Sequence, residues 1–121
     1  MKVAVIGSRG LEIDNLDVYL PTDVSELISG GAKGIDLCVR RYAEREGIPL
    51  VELLPQYDRY GRSAPHRRNE EIVARADRVI ALWDGASRGT ASVIRLCRRI
   101  DKPLTVFIVE SNGAGTVERE V

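Results

Sequence analysis

The sequence predicts an α/β domain built on an open, mostly parallel five-stranded sheet with helices on both faces. Three observations lead there. Short apolar runs alternate with segments whose apolar residues recur at helical spacing, the pattern of parallel strands joined by right-handed helical crossovers. The runs are apolar at successive positions, as expected of strands covered above and below. Glycine clusters at Gly7, at Gly30 to Gly34 and at Gly85 to Gly89 all follow strands, so the turns gather on the carboxyl rim, where open parallel sheets bind ligands.

Taken in order, Lys2 to Ile6 is the first strand and runs into Gly7-Ser8-Arg9-Gly10. Leu11 to Leu20 carries apolar residues at Ile13, Leu16 and Leu20 ahead of Pro21, which reads as a short helix or a loop. Val24 to Ser29 is the second strand. From Gly34 to Glu46, Ile35, Cys38, Val39, Tyr42 and Ala43 share one helical face, and Gly47 stops that helix. Pro49 to Leu54 is the third strand. Gln56 to Pro65 is a polar loop bearing Tyr57, Arg59, Tyr60 and Arg62. It is longer than ordinary connections, and loops of that kind often carry function; Tyr57 and Tyr60 are either ordinary loop residues or a lid over a ligand.

Arg67, Arg68 and Asn69 precede or open the next helix, in which Asn69, Ile72, Val73 and Ala76 share a face. Asn69 stands one turn ahead of the core contacts, so its side chain is expected to point toward the sheet's edge. Arg78 to Trp83 is the fourth strand, with Trp83 packed in the core. A turn from Asp84 to Thr90 leads into a helix whose buried stripe is Thr90, Val93, Ile94, Cys97 and Ile100. Leu104 to Val109 is the fifth strand. Residues 1–109 thus form one domain, and 110–121 a polar tail that is either frayed or a weak edge strand.

Composition narrows the function classes. A chain of 121 residues supports one core. With 18 basic and 18 acidic residues its formal net charge is zero, which argues against holding nucleic acid by a broad basic surface. Cys38 and Cys97 lack the spacing of a disulfide framework or a metal site, and the single histidine, His66, has no partner ligand or nucleophile beside it. No apolar run reaches the roughly 20 residues that span a membrane. A strand beginning at Lys2 leaves no room for a signal peptide, so a cytoplasmic protein is expected.

The candidate site follows from the rim. In the stretch Ile28 to Asp36 a strand breaks into glycines and resumes as a helix. Gly30, Gly31 and Gly34 permit positive φ and close approach, and the helix N-terminus beyond Ala32 offers unpaired amides to an anion, most often phosphate. Lys33 either neutralises that anion or points outward. Ser8 and Arg9 follow the first strand, where an arginine can fork onto a phosphate. Gly85, Ser87, Gly89 and Thr90 form a second nest of amides and hydroxyls at a helix start. Asp36, in a first helical turn, is favoured by the helix dipole and reads first as a structural cap. Asp84 either accepts from a ribose hydroxyl or base amine, or caps its turn; Asn69 can bond a base edge. Asp84 and Asp36 are the only carboxylates placed for acid–base chemistry.

In order along the chain, Gly7-Ser8-Arg9, the turn Ser29-Gly30-Gly31-Ala32-Lys33-Gly34-Ile35-Asp36, Arg68-Asn69, Ala76-Asp77, Trp83-Asp84-Gly85 and Ser87-Arg88-Gly89-Thr90 resemble the YspA-like branch of the SLOG superfamily. That superfamily joins Rossmann-like proteins with the DNA-processing protein DprA and the Lonely Guy phosphoribohydrolases. The resemblance runs from about Met1 to Val109. It implies a Rossmann-like fold that binds a nucleotide or an ADP-ribose-like ligand, in sensing or processing; two phosphate nests without an evident acid–base pair favour a sensor or carrier that needs no cofactor or metal. Superfamily relatives commonly pair through helices, which makes a homodimer an expectation too. Lonely Guy enzymes carry Pro-Gly-Gly-x-Gly-Thr-x-x-Glu, whose glutamate serves in glycosidic cleavage. Aligning Gly89-Thr90 on its Gly-Thr puts Val93 at the glutamate, so the phosphate half of the motif is kept and the acid–base half is absent. The alternatives to a binding module are a nucleotide hydrolase cleaving an N-glycosidic or phosphoester bond, and a DprA-like binder of single-stranded nucleic acid using Arg59, Arg62, Arg67 and Arg68.

Overall fold

The computed structural model describes the backbone of residues 1–112 and 115–120 and the side chains of residues 1–110. Its strands are β1 (Lys2–Gly7), β2 (Glu26–Ser29), β3 (Leu50–Glu52), β4 (Arg78–Trp83), β5 (Leu104–Asn112) and β6 (Gly115–Glu120), in the sheet order β3-β2-β1-β4-β5-β6. The first five are parallel, and β6 runs antiparallel to β5. This is the Rossmann-like α/β arrangement expected. Of the two expectations for residues 110–121, the edge strand is the one found, and β5 continues past Val109 to Asn112.

The helices are α1 (Ile35–Glu46), α2 (Tyr57–Tyr60), α3 (Ala64–Arg75) and α4 (Arg88–Arg99). Successive strand residues face opposite sides, and both sides are covered. Ala4, Ile6, Ile28 and Ala81 pack on Ile72 and Val73 of α3 and Val93 and Ile94 of α4. Val3, Val5, Leu27 and Leu82 pack on Ile35, Val39 and Ala43 of α1, with Leu16 and Tyr19 from a 3-10 turn. That turn, Leu16–Tyr19, is all the helix the stretch from Leu11 to Leu20 forms. No helix among the described residues is long and apolar enough to cross a membrane.

Three segments differ from the sequence reading. The loop expected from Gln56 to Pro65 is helical over much of its length: α2 passes through a 3-10 turn at Gly61–Ser63 into α3, which begins at Ala64 with Pro65 in its first turn. Proline lacks an N–H that the first turn does not use, and its fixed φ suits a helix start. Arg68 and Asn69 therefore lie a turn inside α3 rather than at its opening. The second and third strands are also shorter than expected, at Glu26–Ser29 and Leu50–Glu52.

The chain steps from β1 to β2 to β3, then returns through α3 to place β4 on the other flank of β1. Strand order reverses between β1 and β4, whose ends lie side by side with Gly7 opposite Leu82. A crevice outside the carboxyl ends of the strands is expected at such a point.

Candidate functional site

Glycines set how closely the rim loops approach. A Cβ on Gly7 would stand 2.5 Å from Cγ1 of Ile35 and 2.7 Å from the Leu82 carbonyl oxygen, so the end of β1 accepts the first residue of α1 only because residue 7 is glycine. Gly34, the residue before α1, has φ of 73°, and a Cβ there would meet the Arg9 and Ser8 carbonyl oxygens at 2.5 and 2.6 Å. The loop after β1 and the turn after β2 are thereby pressed together, and the Ile35 amide donates to the Ser8 carbonyl at 3.4 Å. Gly30 does not take positive φ as expected; its open side faces Arg68 and Asp36.

Ser8 ties in the loop after β4. The residue is 1% exposed, and its hydroxyl lies 2.9 Å from the Ser87 hydroxyl and accepts the Asp84 amide at 3.1 Å. Asp84 in turn accepts the amides of Ala86 and Ser87 on Oδ1, at 2.9 and 2.7 Å. Of its two expected roles, the turn cap is the one the structure shows. Ser87 stands at the N-cap of α4, yet its hydroxyl makes no cap bond. No acceptor among the described residues receives the amides of Arg88, Gly89 or Thr90, which leaves the first turn of α4 open.

These loops surround a cleft of about 390 Å³, within the roughly 300–1,000 Å³ of small-molecule sites. Of the residues singled out in the sequence, Gly7, Ser8, Arg9, Gly30, Ala32, Asp36, Arg68, Asn69, Asp84, Ser87, Gly89 and Thr90 line it. Gly31, Lys33 and Gly85 do not. Gly31 takes φ of 68° with its open side toward Leu54 and Glu52, Gly85 takes φ of 82° in its turn, and Lys33 is exposed. The sequence reading missed Ile6, Gly10, Pro65, Ile72 and Val93. Pro65, Arg68, Asn69 and Ile72 stand at helical spacing on one face of α3, a signal hidden once Pro65 is placed in a loop.

The two carboxylates sit in opposite environments. Asp36 is only 9% exposed, and its Oδ2 accepts the Ala32 amide at 3.1 Å. Burial pushes its pKa up, against the lowering effect of the Ala32 amide, the nearby Ser29 hydroxyl and the charge of Arg68. For Asp84, burial pushes upward too, but the amides of Ser87 and Ala86 and the Ser8 hydroxyl outweigh it and hold the carboxyl below its ordinary value. Environments that drive two carboxylates apart separate an acid–base candidate from an anchored one: Asp36 remains a candidate, and Asp84 is a turn anchor.

The arginines divide as well. Half-buried Arg68 donates from Nη1 to the carbonyls of Gly30 at 2.8 Å and Leu53 at 3.2 Å, and from Nε to Asn69 Oδ1 at 2.9 Å. It fastens α3 to the ends of β2 and β3. Arg59 and Arg67 lie over the Tyr60 ring at 5.1 and 5.4 Å, outside the cleft. Arg9 is exposed on the cleft rim and makes no salt bridge among the described residues. No family model matches the chain, and no curated protein matches it. Among the described residues no cluster of three or more His, Cys, Asp or Glu side chains is placed to hold a metal ion.

Proposed function

We propose that the cleft binds a nucleotide or nucleotide-derived phosphorylated ligand, and that the protein acts in the cytoplasm as its sensor or carrier. The observation that supports this reading is the joining of the loops after β1 and β4 through Ser8, which sets the open first turn of α4 beside the cleft and the unpaired Arg9 on its rim. Amides and an arginine around an apolar floor of Ile6, Ile72 and Val93 suit a phosphate attached to a ring system. Charge-assisted hydrogen bonds contribute roughly 1.5–3 kcal/mol each before ordering costs, enough for affinity on the order of micromolar.

Calorimetry of the purified protein against AMP, ADP-ribose, NAD and cyclic nucleotides tests the proposal. Saturable binding of at least one is expected; no binding of any at millimolar concentration overturns it.

Asp36 favours a second reading, nucleotide hydrolysis, because a buried carboxyl with a raised pKa lines the cleft. Val93 opposes it, since an apolar side chain lines the cleft where the phosphoribohydrolase motif has its glutamate. Nucleoside monophosphates left unchanged after long incubation with the protein, followed by chromatography, would remove this reading.

A further inference from the structure

The cleft has two chemically different ends. At the α4 end are the hydroxyls of Ser8 and Ser87 and the open amides of Gly89 and Thr90. The carboxylate at that end, Asp84, already has Oδ1 fixed to two backbone amides. The α1 end is another helix N-terminus, but here the chain supplies its own anion: Asp36 lies in the first turn, nine-tenths buried, and takes the Ala32 amide on Oδ2. The Ser29 hydroxyl also lies beside the carboxylate, and Oδ1 takes no backbone amide among the described residues. Arg68, the nearest cation, is already committed to the carbonyls of Gly30 and Leu53.

A phosphate set against Asp36 would bring like charges together where water is largely excluded. A neutral O–H or N–H donor meets no such penalty and can bond the carboxylate where it lines the cleft. We infer that Asp36 is the specificity-determining acceptor of the cleft: the ligand's phosphate lies at the α4 end, and a neutral donor on the same ligand, a sugar hydroxyl or an exocyclic amine, bonds Asp36. This rests on the binding function proposed above and narrows it to phosphorylated nucleosides that carry such a donor away from the phosphate. Bare phosphate binds without engaging Asp36.

The test compares ligands that differ by one donor, by calorimetry on the wild-type chain and on Asp36→Asn. AMP is set against 2′-deoxy-AMP, which lacks the hydroxyl, and against purine riboside monophosphate, which lacks the amine; inorganic phosphate is the control. In the wild type, removing one of the two donors is expected to weaken binding by about tenfold or more, since a site built around a donor rejects the analogue without it. In Asp36→Asn the same removal should matter by less than about threefold, because the two changes are coupled, while phosphate affinity stays as in the wild type. Asp36→Ser, which keeps an acceptor for the Ala32 amide, is run in parallel should the Asn variant fail to fold. If AMP binds but neither donor nor Asp36 affects its affinity, the inference is overturned and the binding function stands. If neither AMP nor phosphate binds at millimolar concentration, the inference is overturned, and the binding function then stands or falls on ADP-ribose, NAD and the cyclic nucleotides.

Discussion

The hydroxyl oxygens of Ser8 and Ser87 lie 2.9 Å apart although 79 residues separate them in the chain. Through this contact the loop after β1 holds the loop after β4, and the Ser8 hydroxyl is also the acceptor for the Asp84 amide. Replacing Ser8 with Ala strands that amide in a part-buried position. Stability is expected to fall by about 1–3 kcal/mol, read from the midpoint of chemical denaturation. An unchanged midpoint would show that the loops are held by other contacts.

Asp84 anchors its own turn, so Asp84→Ala should lower stability by about 1 kcal/mol, the usual cost of losing a cap. The pH dependence has a definite sign. The folded pKa is lowered from 3.8, so the contribution of Asp84 is present above the unfolded value and is lost as pH falls through the lower folded one. Asp84→Asn should therefore show a shallower acid limb in a denaturation series at low pH.

Asp36 gives the opposite slope. Its pKa is raised from 3.8 by burial, so its stabilisation is complete below the unfolded value and is lost as pH rises through the folded one. Asp36→Asn keeps an acceptor for the Ala32 amide and removes the buried charge. The variant should lose less stability than the wild type between acid and neutral pH; parallel curves for the two proteins would refute this.

Arg9 and Arg68 line the same cleft but should separate in experiment. Arg9 is exposed and makes no salt bridge among the described residues, so Arg9→Ala should change stability by no more than about 0.5 kcal/mol while weakening a phosphorylated ligand by about tenfold or more. Arg68→Ala removes the donor shared by the Gly30 and Leu53 carbonyls and should cost about 2–3 kcal/mol of stability. Thermal unfolding and calorimetry on both variants distinguish the two roles.

Much of the fold is legible because each strand carries its own signal: Arg78–Trp83 matches the expectation to the residue, and the spacing of Ile35, Val39 and Ala43 and of Thr90, Val93, Ile94 and Cys97 locates α1 and α4, whereas Ile100, expected on the same stripe, is 51% exposed just past the end of α4. The start of α3 is not, because Pro65 ends one kind of segment and begins another with equal ease. Side-chain commitments are harder still. An arginine that holds carbonyls and one left free look alike in sequence, and only the packing of α3 on the ends of β2 and β3 tells Arg68 from Arg9. Ile6, Ile72 and Val93 carry the signal of core residues, which they are, being 6%, 1% and 3% exposed; that they also line the cleft depends on which loops and helices meet beside them.

The strand order has a consequence for when the site exists at all. One bank of the hollow, from Ile6 to Asp36, is made before the chain turns back, and the other, from Pro65 to Val93, afterwards. Until β4 docks, β1 has a neighbour on one flank only, and the Ser8 hydroxyl has neither of its later partners. On the proposed binding function, a guest molecule would recognise only a chain whose halves have closed, and by mass action it would draw partly assembled chains toward the finished form.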